Sequence, residues 1–116
     1  MTKQALIIGA TGIVGQNLAN RLVADGWAVF GLARRTETLP TTVIPVKANV
    51  LDVENLRRSL ENISVSHVFF TTWTRGKTEA ENCIINSAMV SNVFKALPRP
   101  DALIHASLVT GLKHYL

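Results

Sequence analysis

Disulfide chemistry has nothing to work with in this chain, which carries a single cysteine, Cys83. One thiol cannot close an internal bridge, and its presence fits a reducing compartment, where an isolated cysteine reads as a small buried apolar residue. Long apolar runs are also missing: no stretch approaches the ~20 residues a membrane helix needs. The opening "MTKQALIIGATG" passes from a short polar lead straight into an apolar segment, without the charged region, long apolar segment and cleavage site that a secretory leader has in series. A cytoplasmic protein with no membrane partner is therefore expected. Charge is sparse as well, at 17% of residues, and the 12 lysines and arginines are scattered with no basic run and no aromatic interleaving. That pattern argues against nucleic acid as a partner. The net charge of +4 still suits a small phosphorylated ligand.

What the chain does have is apolar residues, 47% of its 116, enough for one folded domain with its own core. Short apolar runs alternate with longer segments of helical period. "ALIIGA" (5–10) reads as a strand covered on both faces. From Ile13 to Asp25, Val14, Leu18 and Leu22 fall four apart on one helical face, and Gly26 supplies a left-handed stop. "WAVFGLA" (27–33) is a second strand, and "VIPVKA" (43–48) a third, whose Pro45 requires a sheet edge. A helix follows from about Asp52 to Glu61, with Asp52 as its cap and Val53, Leu56 and Leu60 facing inward. "SHVFFTT" (66–72) is the fourth strand, 79–97 a long helix stopped by Pro98 and Pro100, and "ALIHAS" (102–107) the fifth strand. Trp27, Phe69, Phe70 and Phe94 are expected in the core. The alternation implies an α/β fold: a Rossmann-like, doubly wound parallel sheet of five strands in the order 3-2-1-4-5, with the first strand at the point where ligands bind.

Gly9, Gly12 and Gly15 of "GATGIVG" stand where the first strand hands over to the first helix. Glycines there let bare backbone amides and the positive helix end approach a pyrophosphate, and Gly15 would let helix and strand pack closely. The strand before and the helix after give the triplet the context that a lone glycine pattern lacks. At the end of the second strand an acid would bind the ribose 2′-hydroxyl of NAD, whereas arginine accommodates the 2′-phosphate of NADP. Arg34 and Arg35 occupy that place, so NADP is the expected cofactor. No metal site is expected.

The G-x-x-G-x-x-G spacing resembles that of short-chain dehydrogenases and reductases. More narrowly, "GIVGQNLANRL", "VFGLARR", "HVFFTTW", "ENCIINSAMVSNVFKAL" and "IHASLVTGLKHYL" resemble successive blocks of the progesterone 5β-reductase and iridoid synthase family. Those are atypical short-chain reductases that reduce the carbon–carbon double bond of enones with NADPH. The resemblance implies that Thr11, Gly12 and Ile13 touch the pyrophosphate, with Val14 and Val50 also beside the cofactor. It implies too that Arg34 and Arg35 hold the 2′-phosphate, that Thr72 and Trp73 border the nicotinamide half, and that Lys113 is the active-site lysine. An ammonium in that place lowers a phenol pKa and stabilises an enolate as it forms. Two positions depart from the family pattern. Asn49 stands where an adenine-contacting aspartate is usual, with a second acidic position met by Asp52, and Val109 replaces a glutamine.

By the same resemblance, the family's proton-donating tyrosine and most of its substrate pocket come after the T-G-x-K-H-Y block. Tyr115 is not that donor, since Lys113 precedes it by two residues instead of following it as in Tyr-x-x-x-Lys. The chain thus reads as an N-terminal cofactor half truncated after the fifth strand, with that strand left as an open edge and a homodimer allowed. It is expected to bind NADP weakly and to catalyse nothing, and sustained turnover of an enone by the 116 residues would refute this. A noncatalytic NADP-binding sensor and a sugar-nucleotide epimerase or dehydratase are the alternative readings.

Overall fold

A computed structural model describes residues 3–71, 79–97 and 105–108. The aliphatic run at the start forms β1 (Gln4–Ile8), buried on both faces as its composition requires. Then come α1 (Ile13–Ala24), β2 (Ala28–Ala33), β3 (Ile44–Lys47), α2 (Val53–Leu60), β4 (His67–Phe70), α3 (Glu79–Ala96) and β5 (His105–Leu108). The strands lie in the order β3-β2-β1-β4-β5, and every pairing is parallel. Pro45 sits on the edge strand β3, opposite Gly31 of β2, where its missing N–H interrupts no second ladder.

Side-chain alternation along the strands divides the core between two faces. Leu6 and Ile8 of β1 join Leu32, Val68 and Phe70 on one side, packed with Leu56 and Leu60 of α2 and Met89 and Val93 of α3. Ala5 and Ile7 point the other way, to Val29 and to Ala19 and Leu22 of α1. Phe70 is fully buried, whereas Trp27, Phe69 and Phe94 are partly buried against these clusters. No helix among the described residues is long and apolar enough to cross a membrane.

The ends of β1 to β4 fall within two residues of those of the expected runs, β1 stopping at Ile8 where the glycine turn begins, and two further details differ from the sequence reading. The inward face of α1 is Gly15, Ala19 and Leu22, with Leu18 only partly buried, while Val14 is 48% exposed. Gly15 is the position that faces the turn and Thr71, and with Gly15, Ala19 and Leu22 inward Val14 is rotated by about 100° to the flank of the helix. Within the described residues the last strand covers His105–Leu108, one residue past the expected end. Its register against β4 runs from His67 opposite His105 to Phe70 opposite Leu108, and residues 102–104 lie outside the described ones. Helix ends are as anticipated. Asp52 Oδ1 accepts the Asn55 N–H at 3.1 Å to cap α2. Gly26, at φ 88°, closes α1 with the paired bonds Trp27 N–H to Leu22 O and Gly26 N–H to Val23 O.

Candidate cofactor site

Parallel pairing brings the C-terminal ends of β1, β2, β3 and β4 to one edge of the sheet, and a cleft of about 720 Å³ opens there. Ile8, Gly9 and Thr11 form its floor, Arg34 and Arg35 one side, and Ala48 and Val50 another. A cleft of this size falls in the range of ~300–1,000 Å³ that small-molecule sites occupy.

The glycine turn is tied down at several points. Gly9 takes a positive φ of 87°, which a side-chain-bearing residue rarely adopts. The Gly9 and Ala10 amides donate to Leu32 O at 3.0 and 3.3 Å, and the Gly12 amide to Gly9 O at 3.1 Å. Gln16 Nε2 donates to the Thr11 carbonyl at 2.8 Å. With the Gly12 amide turned inward, the amides left for a ligand among the described residues are that of Thr11 and those opening α1. Gly12 gives that helix no side-chain cap, and its first turn holds no acid. The contrast is α2, which has both the Asp52 cap and Glu54 in its first turn. An uncapped, acid-free helix start leaves amides and the positive dipole end to an anion.

Gly15 is where helix, strand and turn meet. A Cβ built there would overlap the Gly9 carbonyl oxygen and come within 2.9 Å of both Ala10 Cα and Thr71 Oγ1. Thr71 itself was not singled out in the sequence, yet it clamps the turn from the end of β4. Its hydroxyl donates to Ile8 O at 2.8 Å and lies 3.2 Å from Gly9 O, while its amide donates to Ile8 O at 3.0 Å. A short polar residue just past the strand next to β1 was the available hint. Asn92 of α3 was missed too: its Nδ2 donates to Val50 O at 3.0 Å and fixes the cleft wall from a distance of 42 positions in the chain. A side-chain amide next to the buried Val93 and one turn from Met89 was the sign of it.

Of the expected site residues, Gly9, Thr11, Arg34, Arg35 and Val50 line the cleft. Gly12, Ile13, Val14 and Gly15 form the adjoining helix start, with Ile13 81% exposed. Asn49 is exposed between the two lining residues Ala48 and Val50. Its Oδ1 accepts the Leu51 N–H at 3.0 Å and its own N–H donates to Asn55 Oδ1 at 2.8 Å. The Asn49 side-chain oxygen therefore holds its own loop, Asp52 is spent on the helix cap, and the amide nitrogen of Asn49 is the group left to meet a base. Thr72, Trp73 and Lys113 lie outside the described residues. Among the described residues the ion pairs are Arg21–Asp25 and Arg57–Glu54, so neither Arg34 nor Arg35 is neutralised by a carboxylate of those residues. No group of three or more His, Cys, Asp or Glu side chains among them could hold a metal ion.

Residues 5–113 match the family described as NAD dependent epimerase/dehydratase. The chain is 42% identical over 122 residues to a 3-oxo-Delta(4,5)-steroid 5-beta-reductase of Arabidopsis thaliana, and 42% identical over 124 residues to an (S)-8-oxocitronellyl enol synthase of Nepeta cataria. Each match takes in 97% of this chain and 31% of the relative. A solved short-chain dehydrogenase from Streptomyces avermitilis superposes with a TM-score of 0.74 at 21% identity, over 100% of this chain and 52% of that one. At that identity the likeness speaks for the fold alone.

Proposed function

Since the chain belongs to the NAD dependent epimerase/dehydratase family, we propose that it is the cofactor-binding part of an NADPH-dependent reductase acting on the carbon–carbon double bond of an enone. The observation that carries this reading is one cleft holding the uncapped glycine turn and the guanidiniums of Arg34 and Arg35, which form no ion pair among the described residues. The fit is physical: Gly9 takes the positive φ that the tight turn needs, Gly15 lets α1 start hard against that turn, and the donor set suits a pyrophosphate and a further phosphate monoester. The double-bond chemistry is supported by the 42% identity to the steroid 5-beta-reductase and to the enol synthase, of which the chain spans under a third.

In this reading the start of α1 binds the pyrophosphate through the Ile13 and Val14 amides. Thr71 and Gln16 hold the turn in shape, so that those donors are aimed before the ligand arrives. Arg34 and Arg35 take the 2′-phosphate, and Val50, fixed by Asn92, packs against the adenine side. When bound, the reduced nicotinamide supplies a hydride for the β carbon of the enone. Thr72 and Trp73 border that half, and Lys113 provides a positive charge near the developing enolate. These last three roles rest on the likeness of the T-T-W and T-G-L-K-H-Y segments to the reductase family.

Calorimetric titration of this chain with NADPH and with NADH tests the reading. NADPH is expected to bind at least about tenfold more tightly, the worth of one charge-assisted contact of ~1.5 kcal/mol. Equal affinities would remove the role given to the arginines, and heat from neither coenzyme would end the dinucleotide reading altogether.

A further inference from the structure

The cleft that holds Arg34 and Arg35 is also lined by an acid, Glu37, and by Thr38. Their placement is fixed by a turn. The Leu39 amide donates to Thr36 O at 3.1 Å, which puts Glu37 and Thr38 at the two central positions. Leu39 then anchors the turn by packing against the α1 side of the core, where its Cδ1 lies beside Gly31. Glu37 is exposed and takes part in neither ion pair of the described residues. It therefore presents an unshared carboxylate to the same space as the two guanidiniums.

Carboxylates accept hydrogen bonds and cannot donate them when ionised. A ribose 2′-hydroxyl can donate to one, whereas a 2′-phosphate carries like charge and no proton to give at neutral pH. The two arginines and the acid thus pull coenzyme choice in opposite directions. We propose that Glu37 is a specificity-determining residue that opposes Arg34 and Arg35, weakening the grip on a 2′-phosphorylated adenosine and strengthening that on the 2′-hydroxyl form. This inference rests on the dinucleotide reading given above and adds to it an acidic counterweight within the 2′ subsite.

Adenosine 2′,5′-bisphosphate and 5′-AMP isolate the subsite from the nicotinamide half. Titrating both into the wild type, Glu37→Gln and Glu37→Lys, with circular dichroism to confirm folding, should show the bisphosphate gaining and 5′-AMP losing affinity. For Glu37→Gln each change should be about threefold, as for a solvent-screened charge contact, so that their ratio moves about tenfold. Glu37→Lys should move it further in the same direction, and raising the salt to about 0.5 M should shrink the bisphosphate gain. Bisphosphate binding with a ratio that stays within twofold in both variants, or that moves toward 5′-AMP, overturns the role of Glu37 while leaving the dinucleotide reading intact. Failure of the wild type to bind the bisphosphate or NADPH would overturn both.

Discussion

Gly15→Ala should cost about 1–3 kcal/mol of stability, as overpacked sites do, and should remove most of the affinity for NADPH. On helix propensity alone the change would be favourable by about 1 kcal/mol. Space decides against it. The added Cβ would overlap the Gly9 carbonyl oxygen and press to 2.9 Å on Ala10 Cα. Both are backbone atoms of the turn and cannot step aside as a flexible side chain would. Relief requires α1 to lift or the turn to shift, and either movement carries the Ile13 and Val14 amides off the position a pyrophosphate would occupy. Thr71 Oγ1, also at 2.9 Å, would have to leave its bonds to Ile8 and Gly9. Thermal or denaturant unfolding measures the first effect and NADPH titration the second. An alanine variant with wild-type stability and affinity would show that the close approach of α1 to the strand end has no bearing on binding.

Replacing both Arg34 and Arg35 by alanine should weaken NADPH by about 100-fold, two contacts of ~1.5 kcal/mol each, and leave NADH within about threefold. The asymmetry matters more than the size. Both side chains are exposed, and the residues that bury the core do not depend on them, so stability should stay within about 0.5 kcal/mol of the wild type. The NADPH loss should also diminish as salt rises, because the interaction is between solvent-accessible charges. Parallel loss of both coenzymes would mean that the arginines serve the shared part of the dinucleotide, and the choice of NADP over NAD would then need another source.

Local pattern in the chain was sufficient for several features. The continuous aliphatic character of residues 5–8, the period of α2, the cap at Asp52 and the stop at Gly26 are each set by chemistry within a few positions, and the structure has them where the sequence puts them. Pro45 on an edge strand follows from its missing amide hydrogen. The glycine turn and the arginine pair were legible because each lies at a strand end, marked by the change from apolar to polar residues. Thr72, Trp73 and Lys113 were named from family likeness and lie outside the described residues.

Tertiary structure decided what meets what. Hydrophobic periodicity reports which face of an element is buried, but it carries no information about the neighbour across the sheet. Thr71 reaches Ile8 and Gly9 from 63 and 62 positions away because β4 pairs directly with β1. Asn92 reaches Val50 only because α3 packs on the same face as α2. Glu37 stands in the polar segment "TETLPTT", which by itself marks no site, and the turn anchored by Leu39 places it in the cleft with the arginines. Even the exposure of Val14, on what looked like a regular inward stripe, follows from Gly15 being the position of α1 that meets the turn and Thr71. Elements are written in short-range chemistry, whereas the site is made by long-range pairing and register, which no window of neighbouring residues contains.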